Sequence, residues 1–420
     1  MGSTDIRVII MLACLCLFAI YLLLRTARPS FKGALISCAL MIAAFYLRYL
    51  VFDYETLDYK DFLAHWVNYF RTNGGFSALK HQIGNYNIPY LYFLALFSYS
   101  DINDLYLIKL LSVFFDILLA WSAVLLLGRF TDSAWKKLAC YFTVLLLPTV
   151  FLNGSLWGQC DSTYVSLALL AVYCAMDDRP CLSMVLAALS FGFKLQAVFI
   201  LPVFAVFLCN GKLSPKHLLI FPLTYILLVL PAVLLGRPLP ETLTLYFNQT
   251  GSIGDGLNYN SPSVFAMFQY SLSEQYKNLA SKLGIAAAFV YMLTLLIICY
   301  VNRKRLTDKL TVTVAALFAI GIPFLLPHMH ERYFFCADVL SVIFAFTVPP
   351  LAAVPLLLQF ASLLGYHAYL KMRYLLLMDR GSWALIAALL IAAGYVVFLL
   401  RSMRPPSADQ TGASVTINGK

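Results

Sequence analysis

The sequence predicts an all-α polytopic membrane protein, and three observations carry that prediction. Hydrophobic residues make up 61% of the 420 and charged residues only 12%, against about 25% charged in soluble domains. Mean hydropathy is +0.81. Apolar runs of spanning length recur along the chain, with basic residues gathered in the short loops between them. Lipid-exposed backbone cannot leave its amides unpaired, so these runs are helices rather than alternating barrel strands. The net charge of +10 would suit nucleic acid, but its position beside the spans is a topology signal and argues against a nucleic-acid partner.

The first run, Val8 to Leu24, has the length of a signal-peptide core, yet no small-residue cleavage site follows it. Arg25, Arg28 and Lys32 come next, as in a retained span that ends in the cytoplasm. The second span, Gly33 to Phe52, then returns to the outer face, which makes residues 53–103 an extracytoplasmic loop. Asp53, Glu55, Asp58 and Asp61 crowd its first nine residues, followed by His65, Trp66 and Asn85-Tyr86-Asn87-Ile88-Pro89. Arg129, Lys136 and Lys137 mark the next inner loop, so Asp104 to Gly128 crosses once. The apolar run Pro89 to Ser100 gives about 18 Å of helix against a core of about 30 Å. It is expected at the outer interface, with Tyr90, Tyr92 and Tyr99 suited to that depth.

Leu138–Leu152 and Ser162–Met176 are the next expected spans. The run Cys181 to Cys209 holds one charge, Lys194, near its middle, and Arg179, Lys212 and Lys216 flank it. Both ends are therefore cytoplasmic, and two short arms meet with Lys194 at the outer apex. Leu218–Gly236, Lys282–Val301, Leu310–Leu326, Tyr333–Val348, Leu351–Tyr366 and Ser382–Leu400 complete about thirteen spans, with the N-terminus outside. Residues 1–400 form one membrane domain and 401–420 a disordered cytoplasmic tail. Nine of the ten cysteines lie in or beside apolar runs, where they act as small hydrophobes. Only Cys160 is near a polar centre, and there is no CxxC spacing.

This topology gathers the unusual polar residues on the outer face: the Asp58 loop, Asn85 and Asn87, Trp157 to Asp161, Lys194, Asn258-Tyr259-Asn260, and His328 to Tyr333. Carboxylates, amides, histidines and isolated cations at a membrane boundary suit a polar group held on a lipid phosphate. The phosphate needs Lys or Arg, and an acceptor hydroxyl needs a base.

The motif string itself resembles a known family. Leu57-Asp58-Tyr59 with Phe62-Leu63 and Trp66, Gly74-Gly75-Phe76 and Asn85 to Tyr90 begin it. Ile108-Lys109-Leu110-Leu111 with Asp116, Trp157-Gly158-Gln159-Cys160-Asp161, Phe193-Lys194-Leu195-Gln196 and Pro327 to Tyr333 continue it. Together, over residues about 57–340, they are similar to the GT-C superfamily of membrane glycosyltransferases. More closely, they resemble one of its branches, the bacterial relatives of the PIG-V-type mannosyltransferase of GPI-anchor synthesis. His65 stands where that pattern has proline, and the region before Gly33 is not covered. The resemblance implies a GT-C-like bundle and inverting transfer from a polyprenyl-phosphate sugar to an outward-facing glycan or glycolipid, with no cofactor. Asp58 would be the general base, and a phosphate leaving group needs no general acid, unlike glycosidases. Lys109, Lys194 and Arg332 would bind the donor phosphate. Asn85, Asn87, Asp116, Trp157, Gln159, Asp161, Gln196, His328, His330 and Glu331 would bind substrate.

Plainer readings stand beside these. Asp58 is also a fitting N-cap for a helix starting near Tyr59, and Asp53 or Asp61 could be the base instead. Lys109 could anchor a span, and Asp116 could pair with Lys109 or with another helix. Trp157 to Asp161 could be an interfacial turn. His328 and His330 are spaced i, i+2 beside Glu331, which is not the spacing of a helical metal pair, and a strand is not expected there; no metal is assigned. Asn153-Gly154-Ser155 and Asn248-Gln249-Thr250 match glycosylation sequons. A lipid-linked-sugar flippase would place charges near the midplane in inverted halves, and a non-catalytic assembly subunit would tolerate loss of Asp58.

Overall fold

The computed structural model describes residues 5–246, 256–268 and 273–402. The Asn248 sequon and the tail beyond Ser402 lie outside them. The described residues fold as an all-α membrane protein built from α1 (Ile6–Ala27), α2 (Phe31–Tyr49), α3 (Ala64–Thr72), α4 (Ile88–Phe97), α5 (Asp104–Leu127), α6 (Ala134–Leu145), α7 (Asp161–Met176), α8 (Pro180–Phe193), α9 (Val203–Cys209), α10 (Ile220–Leu234), α11 (Glu274–Val301), α12 (Asp308–Leu325), α13 (Phe335–Thr347), α14 (Ala353–Leu370) and α15 (Asp379–Ser402).

Local sequence sets several boundaries. Asp5, Ser30, Asn103 and Thr307 cap α1, α2, α5 and α12 with side-chain oxygens that accept from the first turn. Central in the bundle is α5, buried along most of its length, which packs on α1, α6, α7 and α13. Val113, Ile117, Ala120 and Leu127 join Val165, Leu169, Val339 and Ile343 in the main core. A second cluster holds the loop after α2 in place: Leu63, Val67 and Phe70 of α3 and its approach pack with Ile88, Leu91 and Leu94 of α4 and Val229 of α10.

Eight helices among the described residues are long and apolar enough to cross a membrane, or nine if the bent pair Ala134–Leu145 and Pro148–Trp157 is one span. The other segments expected to span are short or broken. Pro148 cannot donate to the preceding turn, and the run Leu138–Leu152 bends there by 47°. Helices α7, α8 and α13 have 16, 14 and 13 residues, so about 20–24 Å of rise against a core of about 30 Å. Hydropathy reports that such runs are apolar, not whether bilayer or protein surrounds them; α7 is buried almost throughout.

Two further expectations change. Tyr90 does not face the interface: it is buried, its ring 4.6 Å from that of Tyr86, while Tyr99 is exposed. A two-residue parallel ladder, β1 (Asn258–Tyr259) with β2 (Met329–His330), pairs Asn258 with Met329 and Tyr259 with His330. Strand structure therefore does occur at the histidines, and it joins two polar motifs that lie far apart in sequence.

Candidate active site

Asp58 stands at the entry of a π-helical turn, Tyr59–Leu63, but its carboxylate makes no cap bond to it. Thr56 accepts from Tyr59 N instead, at 3.4 Å. The N-cap reading of Asp58 is thereby replaced, and its oxygens turn to distant segments. Oδ2 accepts from Trp157 Nε1 at 2.9 Å and from Gln159 Nε2 at 2.6 Å; Oδ1 accepts from Tyr369 OH at 2.7 Å. The other loop carboxylates are spent differently. Asp53 accepts from Tyr106 OH and Glu55 pairs with Lys60, both exposed, and Asp61 is exposed. Of the four, Asp58 is the one on which three side chains from two distant segments converge.

The segment that faces Asp58 is shaped by the break at Pro148. A π-helical turn covers Leu152–Trp157 and ends at Gly158, whose φ of 78° favours glycine. That reversal delivers Trp157 and Gln159 to one carboxylate oxygen. Trp157 and Gln159 are 1% and 3% exposed, and both are braced. Tyr86 OH donates to Gln159 Oε1 at 3.1 Å, which aims the amide nitrogen at Asp58, and Ser112 donates to the Gln159 carbonyl at 2.7 Å. Burial holds the Tyr86 phenol well above its ordinary pKa, so it remains a donor.

Next to this lies a charge cluster. Lys194 sits where α8 breaks, the meeting point of two short apolar arms, and its Nζ is 2.5 Å from Asp161 Oδ1. Asn153 Nδ2 donates to Asp161 Oδ2 at 2.8 Å. Arg332 lies 3.0 Å from Glu331, 3.5 Å from Asp161 and 3.7 Å from Asp58, with its guanidinium 5.2 Å from the Trp157 ring centroid. Burial works against its charge, but Glu331 and Asp161, with Asp58 adding to them, outweigh that and keep it protonated well above its usual range. Gln196 lies beside the Tyr333 side chain. Asp58, Asp161, Gln159, Trp157, Glu331, Arg332 and Lys194, expected from sequence to belong together, are thus one connected group.

Other expected site residues are placed elsewhere. Lys109 Nζ donates to the carbonyls of Val51, Phe52 and Tyr54 at 3.1, 2.8 and 2.6 Å. All three ammonium protons are used on the chain leaving α2, so phosphate binding is replaced by a structural task. Asp116 pairs not with Lys109 but with Arg48 at 2.6 Å, both fully buried, and accepts from Ser162. Asn87 caps α4 and donates to Gly192 O and Tyr225 OH at 2.9 and 3.1 Å. Asn85 is exposed. His328 Nδ1 donates to Gly256 O at 2.7 Å, whereas His330 stacks on Tyr259 at 4.8 Å, so the two rings take different partners. Among the described residues no group of three or more His, Cys, Asp or Glu is arranged to hold a metal.

Sequence reasoning missed Tyr369, Arg48 and Asn153. Tyr369 lies in an apolar run past the motif string, with no local signal. Arg48 was hidden in the second span as one charge among apolar residues, and that interruption was the available clue. Asn153 drew notice only as a sequon. Comparison with known proteins finds no matching family model and no matching curated relative.

Proposed function

We propose that this protein is a membrane glycosyltransferase of the GT-C type. More particularly, it is an inverting, mannosyltransferase-like enzyme that moves a sugar from a polyprenyl phosphate to a glycan or glycolipid. Asp58 takes the proton of the acceptor hydroxyl as that oxygen attacks the anomeric carbon. The bond from that carbon to the phosphate oxygen breaks, and the electron pair leaves with the polyprenyl phosphate. Arg332, and Lys194 behind it, stabilise the departing charge in a site largely shielded from water. The formal charges of Asp58, Asp161 and Glu331 exceed those of the two cations by one, so the phosphate engages Arg332 by exchanging with its carboxylate partners. In this reading the bundle has about thirteen crossings, residues 53–103 face outward, and the host membrane is the bacterial inner membrane.

The observation that carries the proposal is the convergence of Trp157, Gln159 and Tyr369 on the partly exposed Asp58 carboxylate. A merely structural aspartate has no need of a cluster of two further carboxylates and two cations at its side. The test is purified protein with polyprenyl-phosphate mannose and a membrane glycolipid extract from its own host. Wild-type protein transfers the sugar with inversion, and Asp58→Asn binds the donor but does not transfer. Near-normal transfer by Asp58→Asn overturns the assignment, as does wild-type protein inert toward polyprenyl-phosphate sugars.

A further inference from the structure

Tyr369 differs from the other groups that donate to Asp58. Trp157 and Gln159 are buried, donate N–H groups, and both address Oδ2. Two such bonds occupy that oxygen's two lone pairs. Tyr369 is half-buried, donates an O–H, and addresses Oδ1 at 2.7 Å. Its ring lies flat on Trp157, with centroids 4.3 Å apart and planes 12° from parallel. It also sits one residue from the end of α14, just before Lys371–Leu377, which are exposed throughout and include Met372 at a φ of 50°. Trp157 and Gln159 are pinned by the bundle, whereas Tyr369 hangs at its edge.

If Asp58 is the base of the proposed reaction, the acceptor hydroxyl has to reach hydrogen-bond distance of its carboxylate. Oδ2 is filled, so Oδ1 is the oxygen left to receive it. A sugar hydroxyl and a phenol are both neutral O–H donors, and the phenol is already there. We propose that Tyr369 marks the acceptor subsite: its hydroxyl holds the place of the acceptor hydroxyl on Asp58 Oδ1, and a carbohydrate acceptor binds by displacing it. The same contact occupies one of that oxygen's two lone-pair positions while the acceptor is absent, which hinders water from taking the acceptor's place and slows loss of the donor to hydrolysis. The inference rests on the base role proposed for Asp58.

Tyr369→Phe keeps the stacked ring and removes only the competing O–H. In the assay above, the half-saturating amount of glycolipid acceptor falls by ~10-fold, the order expected for removing one hydrogen bond to a charged group. Release of free mannose from polyprenyl-phosphate mannose without acceptor rises several-fold. An unchanged or raised acceptor requirement overturns the inference. So does a fall in kcat at constant acceptor requirement, which would make Tyr369 a positioning residue. Those outcomes leave the Asp58 reading intact. Transfer by Asp58→Asn overturns that reading itself, whatever the tyrosine variant does.

Discussion

Arg48 and Asp116 meet at 2.6 Å with neither side chain exposed, and this ion pair holds up the wall of the site from behind. The same Arg48 nitrogen donates to Ser155 at 2.5 Å, and its other terminal nitrogen donates to the Leu145 carbonyl at 2.7 Å. One guanidinium thus ties α2 and α5 to the turn that presents Trp157 and Gln159. Gly154 allows the approach: a Cβ there would lie 2.5 Å from Asp116 Oδ2.

Breaking that pair from one side leaves a buried charge without its partner. Arg48→Met and Asp116→Asn should each lower stability by about 3–5 kcal/mol, and the double variant should lose less than their sum. Thermal unfolding of detergent-solubilised protein, followed by fluorescence-detected gel filtration, gives the comparison. Single variants as stable as wild type would mean that the pair contributes nothing.

Lys109 separates a structural lysine from a phosphate ligand. Lys109→Met strips three backbone carbonyls of their donor, at about 1–3 kcal/mol for each group left unsatisfied. Folded yield should drop sharply, while the protein that does fold keeps its donor KM. A stable variant with a raised donor KM would restore Lys109 to the phosphate.

On the proposed reaction, Arg332→Ala should weaken use of the donor by ~10-fold or more, since it would remove a charge-assisted bond to the donor phosphate. Lys212 donates to the Met176 carbonyl and pairs with Asp178 at 3.0 Å, away from the site, and Lys212→Ala serves as the control. Equal damage from both substitutions, in donor KM measured side by side, would misplace the phosphate.

Gly365 lies four residues before Tyr369 on α14, and a Cβ there would meet the Asn260 carbonyl at 2.7 Å and the Glu331 side chain at 3.0 Å. Gly365→Ala should push α14 off the Asn260 and Glu331 segments, shift Tyr369 relative to Asp58, and cut kcat by ~10-fold or more, as misplacement of about 1 Å can. Kinetics on folded protein, checked by gel filtration, will show the loss; wild-type turnover would mean that α14 yields without moving the tyrosine.

Sidedness has its own test. Ser77 is exposed in the loop between α2 and α5. A cysteine there, in a background without native cysteines, should react with an impermeant thiol reagent on intact cells. Labelling only after permeabilisation inverts the proposed topology.

The helical membrane class was legible because it depends on composition and on where charges interrupt apolar runs, both local properties. The interruption at Lys194 foretold the break in α8 for the same reason: a lone cation in an apolar run needs a partner, and the chain bends to reach Asp161. Which apolar runs form helices too short to cross unaided was not legible, since α7 and α13 are as apolar as a span and only the folded chain reveals their length and burial. Within the site, sequence alone singled out Asp58 among four carboxylates by likeness of motif, without a physical ground for choosing it over Asp53 or Asp61.

What the sequence by itself determined is a helical bundle with polar motifs strung along it, because period, hydropathy and caps act over a few residues. Which groups meet was decided only by the tertiary structure. Asp58 and Tyr369 are 311 positions apart, and no local pattern records that pairing. Lys109 and Lys194 look alike as lysines in apolar surroundings, yet one is spent on backbone carbonyls and the other on Asp161. A buried charge must find a partner, but which partner depends on where the whole bundle brings the chain together.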